Sequence, residues 1–100
     1  MDDSDYARAF AEQNSKNKGK MLIKMQLKAK GVDEKTANSA VENLGDETPQ
    51  AIELAKKYLK NKEYDFKTLS KCYRYLLSKG FSYDAVSSAI NTLKENCDEN

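Results

Sequence analysis

The chain reads as all-α, two tandem three-helix repeats (six helices) arranged as helix-turn-helix-like units. Three observations lead there. The phrase Leu27-Lys28-Ala29-Lys30-Gly31-Val32-Asp33 returns as Leu76-Leu77-Ser78-Lys79-Gly80-Phe81-Ser82. The echo continues without a gap, Ala37, Ala40, Val41 and Leu44 matching Val86, Ala89, Ile90 and Leu93, and a fixed offset of this kind marks stacked helical units. No segment shows the two-residue alternation of a half-buried strand. The repeats are expected to span residues 1–45 and 46–100.

The first helix is expected to begin after Asp2-Asp3-Ser4-Asp5. The short acceptors of that cluster suit an N-cap, and its charge suits the positive helix end. Tyr6 and Phe10 lie one turn apart, the pattern fades from Asn14 to Lys18, and Gly19 allows the turn. A second helix runs from about Lys20 to Lys30 and stops at Gly31, in the left-handed position common after a helix. Asp33 caps a third, which shows Ala37, Ala40, Val41 and Leu44 at buried-stripe spacing before Gly45 closes it.

The second unit follows the same plan. Thr48-Pro49 reads as a cap followed by proline at the first helical position, where a missing N–H costs nothing. Ile52, Ala55, Tyr58 and Leu59 form the inward face of this fourth helix, and Tyr64-Asp65 breaks the pattern. Phe66, Leu69, Cys72, Tyr73, Leu76 and Leu77 trace one face of a fifth helix, ended by Gly80. Ser82 caps the sixth, with Val86, Ala89, Ile90 and Leu93 turned inward and a loose polar tail from Asn96 to Asn100.

The second helix is apolar on two sides. At about 100° per residue, Lys20, Lys24 and Lys28 share one strip, Met21, Leu22, Met25 and Ala29 a second sector, and Ile23 with Leu27 a third. Such a helix wants neighbours on two sides. The first helix, a preceding unit or a partner protein would each supply the second neighbour. In the fifth helix the matching positions, Lys71, Arg74 and Ser78, are polar.

Composition excludes several classes of function. A third of the residues are charged, yet the net charge is only +1, so nothing global points to nucleic acid or membrane. No apolar run approaches the roughly 20 residues that span a bilayer. The acidic amino terminus is unlike a secretory signal or transit peptide, and a cytoplasmic location is expected. Cys72 and Cys97 lack metal-ligand spacing, and the chain has no histidine. Two reduced thiols are expected rather than a disulfide, with Cys72 in the core.

No catalytic constellation is present, so no enzyme is expected, nor any cofactor or metal. Gly19-Lys20 lacks the spacing of a phosphate loop. Asp2, Asp3 and Asp5 lack the order of a calcium loop.

Basic residues are the candidates for contact. Lys16, Lys18, Lys20, Lys24, Lys28 and Lys30 fall in a stretch with no acidic residue, as an electropositive ridge or as a solvated face. A second set comprises Lys56, Lys57, Lys60 and Lys62 with Lys67, Lys71 and Arg74. Arginine makes planar bidentate contacts that lysine cannot. Of the six tyrosines, Tyr6, Tyr58 and Tyr73 fall on buried stripes, and Tyr64 lies in a loop. Tyr75 sits off the apolar face among basic residues and is the candidate contact aromatic.

Several stretches resemble the RecX family, small bacterial regulators of the RecA recombinase. They are Asp3-Ser4-Asp5-Tyr6-Ala7 with Phe10, then Gly19-Lys20, then Ile23 to Val32 and Ala55-Lys56-Lys57-Tyr58. Tyr75-Leu76-Leu77-Ser78-Lys79-Gly80-Phe81-Ser82-Tyr83-Asp84-Ala85-Val86 is the most specific, resembling the family's "leucine, basic, Gly-Phe-Ser-Tyr" signature. The resemblance implies tandem three-helix repeats. It also implies binding to the RecA filament and modulation, mainly inhibition, of RecA ATPase and strand exchange in recombination, repair and the SOS response.

Family members usually carry at least one more repeat upstream, so the chain is expected to match their carboxyl-terminal two repeats. RecA filaments are the expected partner, with single- or double-stranded DNA a second candidate. The alternative reading is a helical nucleic-acid-binding domain acting without RecA. The oligomeric state is left open.

Overall fold

Each unit closes on its own apolar cluster. The computed structural model describes residues 3–98, with side chains to residue 95. Six helices fill the described residues and no strand occurs among them: α1 (Asp3–Asn14), α2 (Lys20–Ala29), α3 (Glu34–Glu42), α4 (Thr48–Leu59), α5 (Phe66–Ser78) and α6 (Tyr83–Asp98). The all-α expectation holds. The molecule is a rod of 51 × 20 × 20 Å.

The first cluster is rich in small residues. Ala7 and Ala11 of α1 meet Ala37 and Ala40 of α3, with Ile23 and Leu27 of α2 as the large fully buried side chains. Alanine lets α1 and α3 approach closely but contributes little apolar area. The second cluster holds more bulk: Leu54, Leu59, Leu76, Phe81, Ile90 and Leu93 all pack into it. Burying one such side chain stabilises by about 1.5–3 kcal/mol, so the second unit has the deeper hydrophobic reserve.

Helix starts follow local chemistry. Asp33 accepts hydrogen bonds from the Thr36 hydroxyl (2.6 Å) and its N–H (3.3 Å), and Asp65 accepts from the Thr68 N–H (2.7 Å). Ser82 Oγ accepts from the Ala85 N–H at 3.2 Å. The three expected glycine stops have positive φ: Gly31 +96°, Gly45 +74° and Gly80 +93°.

Several expectations need correction. Helix α1 starts at Asp3, inside the acidic cluster, so Asp3 and Asp5 occupy its first turn instead of preceding it. Asp2 lies outside the described residues. Tyr6 is 42% exposed and Phe66 is 87% exposed. Tyr6 adjoins fully buried Ala7 and so lies off the packed face of α1, whereas Phe66 opens α5 ahead of its first partly covered residues, Thr68 and Leu69. Ala7 and Ala11 make the buried stripe of α1 instead.

On α4, Ala51 and Leu54 are buried with Ala55 and Leu59, whereas Ile52 and Tyr58 are only half-buried. Thr48 belongs to α4, and the acceptor for its N–H is Asp46 Oδ1 at 3.0 Å. The expected loose tail is helical through Asp98. Cys72 is buried as a free thiol, and the Cys97 side chain lies outside the described residues.

Gly19 is not a left-handed turn residue. Its φ of −81° suits any side chain, but a Cβ there would run into the backbone of Gly80 and Phe81. Reciprocally, a Cβ on Gly80 would strike the backbone and Cβ of Leu22. The two units meet here, end to end. Gly19 N–H donates to the Lys79 carbonyl at 2.7 Å, and Met21 N–H donates to the Gly80 carbonyl at 3.2 Å.

Helix ends leave unpaired amides and carbonyls. Here the carbonyls that follow α5 serve amides at the start of α2, whose N-cap residue Gly19 has no side chain to do so. Glu47, in the linker, completes the joint. Its Oε1 accepts from Lys20 N–H at 2.9 Å and its Oε2 from Ser82 N–H at 3.2 Å. One carboxylate thus sits between the positive ends of α2 and α6, where negative charge is favoured.

Candidate interaction surface

The basic residues between Lys16 and Lys30 do not form one ridge. Lys24 and Lys28 both turn to Glu34, with Nζ at 3.6 and 3.7 Å from its Oε1. Pairs this exposed stabilise little, but the one carboxylate offsets one of the strip's three positive charges. Lys18 Nζ donates to Asn14 Oδ1 at 3.0 Å and to Gln26 Oε1 at 3.1 Å. Lys30 Nζ stands 5.5 Å from the centre of the Phe10 ring. Lys18 and Lys30 therefore edge a separate shallow recess with Phe10, Asn14, Gln26 and Ala29.

Lys20 belongs to the joint between units. With Met21, Lys24, Val41, Glu47, Gly80 and Ser82 it lines a recess of about 330 Å³. Met21 and Met25 are 65% and 61% exposed, and Ala29 is exposed. The second apolar sector of α2 is therefore not covered by α1. Only Leu22, packed under Gly80, is drawn partly inside.

Two sets that look separate in the sequence converge at one place. Lys16 of the first unit and Lys57 of the second line the same recess with Pro49, Gln50 and Glu53. Lys56 is engaged by Glu53 at 3.7 Å. Lys60 and Lys67 are exposed, as is Lys71. Asp65, at the start of α5, has its carboxyl held below the ordinary carboxylate range. The Thr68 backbone N–H is the main cause and the Thr68 side chain the next, with Lys67 and Lys71 adding a smaller pull.

Tyr75 is not a free contact residue. Its ring stacks on Tyr58 at 4.9 Å between centroids, and Lys79 Nζ stands 5.6 Å from its centre. Lys62 Nζ covers the Tyr58 ring at 3.9 Å. The pair joins α4 to α5 against the core cluster, so Tyr75 is half-buried structural material.

Arg74 instead borders a groove of about 500 Å³ between α5 and α6. Leu69 and Ile90 contribute its apolar surface, Tyr64, Phe66 and Tyr73 its aromatic groups, and Arg74 and Lys94 its charge. Sequence reading missed Lys94 and the exposure of Phe66. The signal for Phe66 was its place directly after the Asp65 cap, beyond the reach of a facing helix. Glu47 was also missed, and no local pattern announces a side chain that works across 35 residues.

Among the described residues no group of histidine, cysteine or carboxylate side chains is placed to hold a metal ion. No helix among the described residues is long and apolar enough to cross a membrane.

Comparison with known proteins matches residues 2–41 to the family model for the RecX second three-helix domain, and residues 46–90 to that for the RecX third three-helix domain. The chain is 37% identical over 102 residues to "Regulatory protein RecX" of Clostridium perfringens strain 13, covering 96% of this chain and 48% of that protein. It is 33% identical over 98 residues to "Regulatory protein RecX" of Neisseria meningitidis serogroup C, covering 98% and 62%. The crystal structure of RecX from Lactobacillus salivarius superimposes with a TM-score of 0.86 at 29% identity, over 94% of this chain and 65% of that one. The chain spans about half to two thirds of the length of these relatives.

Proposed function

Because the chain belongs to the RecX family and carries its second and third three-helix domains, we propose that it is a regulatory module that binds RecA filaments. In this reading it lowers RecA ATP hydrolysis and strand exchange from a cytoplasmic location, without catalytic chemistry of its own. Units 1–45 and 46–100 act as two halves of one rigid rod. The relatives are named regulatory proteins, which supports a binding role over an enzymatic one.

The observation that carries the reading is the joint at Gly19 and Gly80. A 51 Å rod locked at its middle presents basic residues from both units in fixed relation, as lying along a filament demands. Lys16 and Lys57, brought to one recess, are the residues best placed to act together. Lys60, Lys67 and Lys71 extend that basic character along the second unit.

The test is RecA's DNA-dependent ATP hydrolysis in the presence of the full chain. Inhibition at substoichiometric amounts supports the reading, and no effect at saturation removes it. Naked single- and double-stranded DNA serve as controls. Tight binding to these without any effect on RecA would favour the nucleic-acid domain instead.

A further inference from the structure

The groove between α5 and α6 has features that a solvated surface does not need. Phe66 opens α5 with 87% of its surface in water, and among the described residues its ring stacks on no other ring. Beside it, half-buried Leu69 gives an aliphatic wall, the core side chain of Ile90 closes the floor, and Tyr64 and Tyr73 add aromatic edges. Tyr73 is held in place, its hydroxyl 3.3 Å from Ser87 Oγ and its ring 6.4 Å from Tyr83. An exposed ring standing over an apolar recess marks a binding site far more than a single exposed residue on a convex surface does.

Charge decides what kind of occupant fits. One cation comes from each helix, Arg74 on α5 and Lys94 on α6, and the described lining contains no carboxylate. An occupant must therefore bring negative charge to two sides of an apolar strip. Two chemistries have that form, an acidic amphipathic peptide and a nucleic-acid strand. The lining offers two cations and one exposed ring, which suits a short peptide with a few carboxylates better than a strand, whose affinity grows with the number of phosphates neutralised.

We propose that the α5–α6 groove is a docking site for an acidic amphipathic peptide, its apolar side chains resting on Phe66 and Leu69 and its carboxylates meeting Arg74 and Lys94. Arginine suits the task, since its guanidinium takes a carboxylate through two parallel hydrogen bonds. The site goes beyond the filament reading and does not depend on it, as it uses none of the lysines of the first unit.

The experiment is NMR shift mapping on the isotope-labelled full chain, with fluorescence anisotropy for affinity. The probe is a synthetic peptide of about 12 residues, roughly three helical turns. It carries Leu or Phe at i, i+3, i+4 and i+7, and Glu or Asp elsewhere. Saturable shifts centred on Phe66, Leu69, Arg74 and Lys94 are expected. Phe66→Ala, and separately Arg74→Glu with Lys94→Glu, should each weaken binding by at least about tenfold. Helical content should stay unchanged, because all three side chains lie outside the cores.

The proposal is overturned by absence of saturable shifts. It also fails if a peptide with Lys in place of the acidic residues binds equally well, or if the shifts centre on Met21 and Met25. Tighter occupation of the groove by an oligothymidine strand would overturn it in favour of nucleic acid. Each of these outcomes leaves the RecA assay to stand or fall separately.

Discussion

Gly19 and Gly80 lie back to back, so close that neither position has room for a side chain. Gly31 is the instructive comparison. Its φ of +96° nearly equals the +93° of Gly80. The residues before them, Lys30 (φ −87°, ψ 2°) and Lys79 (φ −84°, ψ 0°), also agree. Around Gly31, however, a Cβ would meet nothing within 4 Å. The same corner is occupied in one repeat and open in the other.

Gly31→Ala should therefore cost only the backbone penalty of a positive φ, about 1–2 kcal/mol. Gly80→Ala adds a collision with Leu22 and should cost about 1–3 kcal/mol more. Gly19→Ala has no φ penalty but still forces the units apart. Urea unfolding of the three variants gives the order directly. Equal losses for Gly31→Ala and Gly80→Ala would falsify the joint.

Glu47 is the second fastening of that joint. Removing it as Glu47→Ala should destabilise by about 1–2 kcal/mol, the lower part of the range for hydrogen bonds to a charged group because the site is partly wet. Glu47→Gln keeps one carbonyl acceptor and should lose less. A midpoint shift in urea that is the same for both variants would contradict the bridging geometry.

The basic recess shared by Lys16 and Lys57 gives a functional expectation. On the proposed filament reading, reversing both charges to Glu should relieve RecA inhibition by more than the separate effects combined, since residues sharing one partner couple. Lys28→Glu should act more weakly, because Glu34 already offsets that charge. A titration of ATPase inhibition against protein concentration reads both effects.

Cys72 should be chemically silent. Burial pushes its thiol up to about 11, against a smaller downward pull from Lys62. The unfolded value is near 8.5. The folded state therefore gains stability from this group below the unfolded value and loses it as pH rises through about 11. In a Cys97→Ser background, a thiol reagent at pH 8 should label Cys72 only when urea unfolds the chain. Fast labelling in buffer would mean that the second cluster opens.

Acid should act through the helix caps. The Thr36 side chain first, then its backbone N–H, holds the Asp33 carboxyl below its ordinary range. The Thr68 N–H and side chain do the same for Asp65. Folded values depressed in this way give stability that is present above the unfolded pKa, near 3.9. It is lost as pH falls through the folded values. Thermal melts from pH 6 downward should fall below about pH 4, and more gently in Asp33→Asn with Asp65→Asn.

How far the sequence carries can be judged from particular residues. Helix periodicity and stop signals act over a few neighbours, so Gly31, Gly80, Asp33 and Ser82 are legible from the chain alone. The all-α repeat plan follows from them. Tyr6 and Phe66 are not legible in that way: their spacing fits a buried stripe, and only the placement of the facing helices decides that they stay wet. Tyr75 fails for the opposite reason, because Tyr58 on another helix takes its ring. Lys16 and Lys57 meet through the relative placement of two units, and Gly19 acts through contact with Gly80. Such long-range pairings leave no local trace.

The end-to-end junction also sets an order of events during synthesis. The amides that begin α2 wait for Lys79 and Gly80, which the ribosome adds some 60 residues later. At about 5–20 residues per second the delay is roughly 3–12 s. Through that interval the alanine-lined first bundle must hold itself together without its neighbour. A newborn chain stalled before Gly80 would thus be the form most exposed to proteases.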